Sequence, residues 1–184
     1  MSILVAILGL GLLVFVHELG HFVASLALRM RPRRFYVGFP PALVKVERNG
    51  IEYGIGAIPL GGFVKIPGMH RPAPSDVDSQ FARVLQETPD LVGPLERLRR
   101  HLAIGDMDAA ARALPSIRTL VESHRLSHQG RAAADKALTE IEDALGPDAY
   151  WRAPAWKRIL AIFAGPGANI ALAIVLFAVL FATS

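Results

Sequence analysis

The sequence predicts a mainly α, multi-pass membrane protein with two transmembrane helices, a β-hairpin after the first, and a cytoplasmic helical insert before the second. Three observations carry that expectation. The apolar residues of the 184-residue chain gather at its two ends, Asn49-Gly50 separates two alternating runs, and the composition turns to Ala, Leu, Arg and Glu from about residue 81 to residue 145. Four segments follow: 1–28 as the first span, 29–70 as a basic collar and membrane-associated hairpin and loop, 71–150 as linker and helical insert, and 151–184 as interface anchor and second span.

Met1 to Leu28 holds a single charged residue, Glu18, ahead of Arg29. At about 1.5 Å per residue the run exceeds a hydrocarbon core of about 30 Å. It lacks a basic leading region and is too long for the apolar part of a signal peptide, so it is read as a retained span. Inside it lies His17-Glu18-Leu-Gly-His21. Residues four apart share a helix face, so both imidazoles can point at one metal ion, and Glu18 can serve as general base. Two imidazoles and a carboxylate within a bilayer cost several kcal/mol unless paired. A zinc ion, Zn2+, is the partner this spacing suggests.

Arg29, Arg31, Arg33 and Arg34 form the collar. Val44 and Val46 alternate with Lys45 and Glu47, and Ile51, Tyr53 and Ile55 alternate beyond Asn49-Gly50. Two alternating runs joined by Asn-Gly predict a β-hairpin with a type I′ turn. Pro59 to Gly68 reads as a loop that cannot be regular helix. The plain reading is a small surface hairpin; the functional one is a strand edge that an unfolded segment joins by main-chain pairing. Residues 71–80 read as a Pro/Ser/Asp linker. Helices are expected at Phe81 to Glu87, Leu91 to Ala103, Met107 to Ser123 and Gln129 to Leu145, with Pro94 in a first turn and Pro115 kinking or splitting its helix. His124 and His128 are also four apart, but no Glu follows His124, and the pair reads as a solvated helix end.

Ile159 to Thr183 is the second apolar run, preceded by Trp151, Trp156, Lys157 and Arg158 as interface anchors. All 20 Lys and Arg residues lie between Arg29 and Arg158. The positive-inside rule therefore places 29–158 in the cytoplasm, with both termini across the cell (inner) membrane. Anionic lipid headgroups account for the basic charge, so no nucleic-acid partner is expected. Without cysteine the chain makes no disulfide and no thiolate metal site.

Three segments together resemble the site-2 proteases, membrane-embedded zinc metalloproteases. They are His17-Glu-Leu-Gly-His21-Phe22, Ile58-Pro-Leu-Gly-Gly-Phe-Val-Lys65 and Ala164-Gly-Pro-Gly-Ala-Asn169. The likeness covers roughly residues 1–68 and 150–182 and leaves the helical insert outside. It implies that His17 and His21 are zinc ligands and that Glu18 activates the attacking water. It also implies that Gly61 and Gly62 help hold an extended substrate strand, and that Asn169 orients the substrate or its oxyanion. The structural alternative for Asn169 is a hydrogen bond between helices beside Gly165 and Gly167. The substrate class implied is a single-span regulatory membrane protein such as an anti-sigma factor, cleaved within its transmembrane segment. The family's third ligand is an aspartate in an Asp-Gly motif of a later span, which this chain does not contain. The expectation is thus the N-terminal portion of such a protease, completed by a second chain or a C-terminal half supplying that aspartate. The alternative is a catalytically inactive relative that binds membrane substrates or partners.

Overall fold

The structure, a computed structural model, describes residues 2–183. Helix α1 spans Ser2–Ala27 and the last helix, α6, spans Ala155–Thr183. Both are long and apolar enough to cross a membrane. α1 stops where Arg29 turns left-handed at φ 65° and the Met30 N–H closes back on the Ser25 carbonyl at 2.8 Å. Lys157 Nζ donates to the Leu28 carbonyl at 3.4 Å, so the end of α1 meets the start of α6. Because His21 meets Ala161 and His17 meets Asn169, the two helices run antiparallel. Pro166 withholds a donor from the Ile162 carbonyl, yet α6 continues through it.

Strands β1 (Arg34–Arg48) and β2 (Ile51–Lys65) form the predicted antiparallel hairpin. Asn49 and Gly50 have φ 54° and 73°, the pair of positive angles that a type I′ turn needs. Both strands outrun the predicted segments. Val44 pairs with Ile55 and Val46 with Tyr53, as a simple hairpin requires. Upstream, Phe35 lies beside both Tyr53 and Val64, and Val37 beside both Ile55 and Gly62. Each strand is therefore doubled over, and the first half of β1 sits between the two halves of β2. The fold-back is made where a side chain has no room: Gly38 has φ 86°, and a Cβ on Gly56 would lie 2.2 Å from the Phe39 carbonyl oxygen. The prolines at 40, 41 and 59 fall at interruptions of the ladder, where a missing N–H costs no strand bond.

The sheet is held to α1 by aromatic contacts, Phe22 to Phe35 at 4.5 Å and to Tyr53 at 5.9 Å, and Phe15 to Phe35 at 6.0 Å. Across the sheet Glu52 accepts from the Tyr36 hydroxyl and from Lys45 Nζ, and Arg34 pairs with it at 3.2 Å. Lys45 first, then Tyr36, hold the Glu52 carboxyl below its ordinary range; burial, then Glu52, raises the Tyr36 phenol.

Pro67–Arg152 is a second compact unit with its own core. Four helices make it: α2 (Pro74–Glu87), α3 (Val92–Ile104), α4 (Met107–Ser123) and α5 (His128–Leu145). α2 packs against α3 and α5, and α4 against the same two, which closes a four-helix bundle. Phe81, Leu91, Leu98, Ile117, Leu138 and Ile141 fill its centre. Two expectations are corrected here, the linker at 71–80 and the splitting of the third helix at Pro115. α2 starts at Pro74, inside the supposed linker, because Pro74 takes a first-turn position and the Asp76 carboxylate accepts the Ala73 N–H at 2.8 Å. α4 runs unbroken through Pro115, since Leu114, Ile117 and Val121 are buried on either side of it. The unit's two ends are zipped together: the Tyr150 N–H bonds the Pro67 carbonyl at 2.9 Å and the Trp151 N–H bonds that of Gly68 at 3.0 Å. His124 donates to the Leu120 carbonyl and pairs with Asp90 at 3.0 Å, contacts that raise its pKa. It lies at the C-terminal end of α4, the helix end expected.

Candidate metal centre

α1 turns His17 and His21 toward α6. Their Nε2 atoms converge to 3.2 Å, with the ring planes at 77°. Two nitrogens bonded to one tetrahedral zinc at about 2.0–2.1 Å stand roughly 3.3 Å apart. His21 Nδ1 lies 2.7 Å from the Ala161 carbonyl oxygen. A carbonyl only accepts, so that contact puts the ring proton on Nδ1 and leaves the Nε2 lone pair for an ion. On the other ring, Nδ1 of His17 lies 3.4 Å from Asn169 Nδ2.

The space between the rings is kept open by a glycine. A Cβ built on Gly165 would stand 2.4 Å from His21 Nε2 and 2.6 Å from His17 Nε2. The helices approach this closely because Gly20 faces Ala164 and Ala168: a Cβ there would come within 2.4 Å of the Ala164 carbonyl oxygen. Cradle and nitrogens together fit a divalent ion such as zinc. The described residues supply two nitrogens to it and hold no group of three His, Cys, Asp or Glu that could bind a metal.

One residue along α1, Glu18 faces the hairpin instead. Gly62 passes so near that a Cβ on it would stand 3.1 Å from the Glu18 Cβ, and a Cβ on Gly61, whose φ is 134°, would lie 2.3 Å from Val14 Cγ1. Gly61 is thus required by the approach of β2 to α1, and Gly62 eases it. Of the six predicted residues, His17 and His21 meet Asn169 on the α6 side, Glu18 meets Gly62 on the β2 side, and Gly61 meets Val14 rather than Glu18. Sequence reasoning missed Ala161, and took Gly165 only as a small residue beside Asn169, not as the gap between the imidazoles. The signal for both was four-residue spacing back from Asn169, which puts 161, 165 and 169 on one helix face.

A pair of membrane-length helices carrying a convergent H-E-x-x-H pair beneath a glycine-docked hairpin defines the scaffold of a membrane-embedded metallopeptidase. The chain belongs to peptidase family M50, the site-2 proteases, whose family model matches residues 5–184. It is 31% identical over 176 residues to a protein of Chlamydia trachomatis named "Putative zinc metalloprotease", an alignment covering 96% of this chain and 19% of that protein. A protein of Agrobacterium fabrum named "Putative zinc metalloprotease Atu1380" is 32% identical over 176 residues, covering 95% of this chain and 32% of its own length. The chloroplastic membrane metalloprotease ARASP of Arabidopsis thaliana is 37% identical over 90 residues, covering 49% of this chain and 20% of its own. The chain therefore spans between about a fifth and a third of the length of these relatives.

Proposed function

We propose that this chain carries the H-E-x-x-H part of a zinc-dependent intramembrane endopeptidase that cuts transmembrane segments of membrane proteins, in regulated proteolysis. The observation that supports it best is the convergence of two imidazole nitrogens at 3.2 Å beside a carboxylate turned toward a strand. His17 and His21 would hold the zinc, and an aspartate from a second chain or a further segment would complete the set. Bound zinc supplies Lewis-acid polarisation of the scissile carbonyl and of the attacking water. Glu18 removes a proton from that water and returns one to the leaving amine, so the peptide bond breaks with no net proton change.

Gly62, Phe63 and Val64 pair with the first half of β1, and in this reading their other edge takes an unwound substrate segment. Pairing there brings the segment's carbonyls alongside Glu18, and unwinding frees them from helical hydrogen bonds. In this reading residues 29–158 face the cytoplasm of the inner-membrane enzyme, and the substrate is a single-span regulator such as an anti-sigma factor.

A second reading, a catalytically inactive relative that captures membrane partners, draws on the two-nitrogen donor set. One experiment separates them. The chain is reconstituted with a segment bearing an Asp-Gly motif and a single-span reporter. Cleavage is expected, and Glu18→Gln should lower its rate about a hundredfold or more while reporter capture survives. Capture without cleavage by the unaltered chain favours the inactive relative. Cleavage that ignores Glu18→Gln removes Glu18 as base.

A further inference from the structure

We propose that the outward face of α3 lies on an anionic lipid surface, so that the helical unit Pro67–Arg152 rests against the bilayer as well as being tethered to it. A four-helix bundle hides its large apolar side chains, and this one leaves a few uncovered on one side. Among the described residues of the unit, those left exposed are Met69, Val92 and Ile104, at 56%, 51% and 72%. Val92 opens α3 and Ile104 closes it. Met69 comes to the closing end, because Arg71, two residues on, donates from Nη2 to the Gly105 carbonyl at 3.3 Å.

Between those apolar tips α3 is basic. At about 100° per residue, Arg97, Arg100 and Ile104 fall within about 60° of one another, on the side away from the buried Leu95, Leu98 and Leu102. Arg97 and Arg100 are exposed and have no carboxylate partner among the described residues. The acids nearby are engaged elsewhere. Arg99 holds Glu96 at 2.6 Å and Asp78 at 3.0 Å, Asp106 caps α4 at the Ala109 N–H, and Asp108 pairs with Arg152 at 3.7 Å. Guanidinium groups flanked by apolar tips suit the headgroup layer of an anionic bilayer, where the tips enter and the arginines reach phosphate.

The covalent chain favours lipid over another protein as the occupant. Ala155, three residues after Arg152, opens a membrane-length helix, so at most about 10 Å of chain separates the unit from it. Pro67 and Gly68 are bonded to Tyr150 and Trp151, so both ends of the unit share that tether. The Arg71 guanidinium lies 5.8 Å from the centre of the Trp151 ring while it holds Gly105. The tethered end is therefore the end that carries Met69 and Ile104.

The chain has no cysteine, so one introduced thiol labels one place. The whole chain is reconstituted into nanodiscs of phosphatidylcholine, with or without phosphatidylglycerol. It carries an environment-sensitive fluorophore at Ala103→Cys on the α3 face, or at Lys136→Cys on the exposed side of α5. With phosphatidylglycerol present, a lipid-borne nitroxide should quench the label at 103 about threefold more than the label at 136. Arg97→Glu with Arg100→Glu should erase that difference, and so should leaving out phosphatidylglycerol or raising the salt to about 1 M, neither of which alters the chain. Equal quenching at 103 and 136 in the unaltered chain overturns the proposal. Quenching at 103 that ignores charge reversal, lipid charge and salt also overturns it, since the tether alone would then set the contact. A label at 103 shielded from aqueous iodide yet unreached by the lipid quencher would mean that protein covers the face, and overturns the assignment to lipid.

Discussion

At residue 165 a missing methyl group decides whether two imidazoles can share anything. The glycine is buried, and the place its Cβ would take lies 2.4 and 2.6 Å from the two Nε2 atoms. Gly165→Ala is therefore expected to weaken zinc binding at least tenfold with helix content unchanged, read by chelator competition and circular dichroism. Affinity equal to the unaltered chain would mean that the rings swing clear and that the cradle does not hold the ion. That His17 and His21 share a face was legible because a helix turns four-residue spacing into one face. The partner of His21 was not, since the Ala161 carbonyl belongs to the backbone and any residue could have supplied it.

Elements were legible where their signals are local and opaque where tertiary packing overrules them. Asn49-Gly50 announced its turn through two positive φ angles that few other residue pairs accept. The prolines misled in the other direction. Pro74 reads as linker by composition but opens α2, and Pro115, at a helix-interior cost of about 3 kcal/mol, is carried by the apolar residues buried around it. The doubling of the hairpin was hidden because strand periodicity says nothing about which strand halves meet. Its attachment to α1 depends on Gly61, at φ 134° and against Val14. Gly61→Ala adds backbone strain of about 1–3 kcal/mol on top of that clash. Faster tryptic cleavage at Lys45 and Arg48 in detergent is the expected outcome. An unchanged digestion rate would mean that the aromatic contacts of Phe15 and Phe22 hold the sheet without it.

On the scale of the whole molecule, the apolar core of Pro67–Arg152 belongs to that unit alone. Residues 67–152 made by themselves are expected to unfold cooperatively in urea, with Leu98→Ala lowering their stability by about 2–5 kcal/mol. A gradual, non-cooperative transition would show that the four helices need the rest of the chain. Composition disclosed a helical insert here, while the order in which its helices close on one another was beyond the pattern, because amphipathic stripes mark a buried face without naming its partner. The paired strands of backbone at Pro67–Gly68 and Tyr150–Trp151 have a consequence of another kind. Since the polypeptide leaves and returns through one narrow waist, what lies beyond it behaves as a removable cassette. Because those two ends are bonded side by side, exchanging the unit for a short turn asks for no rethreading of the apolar helices.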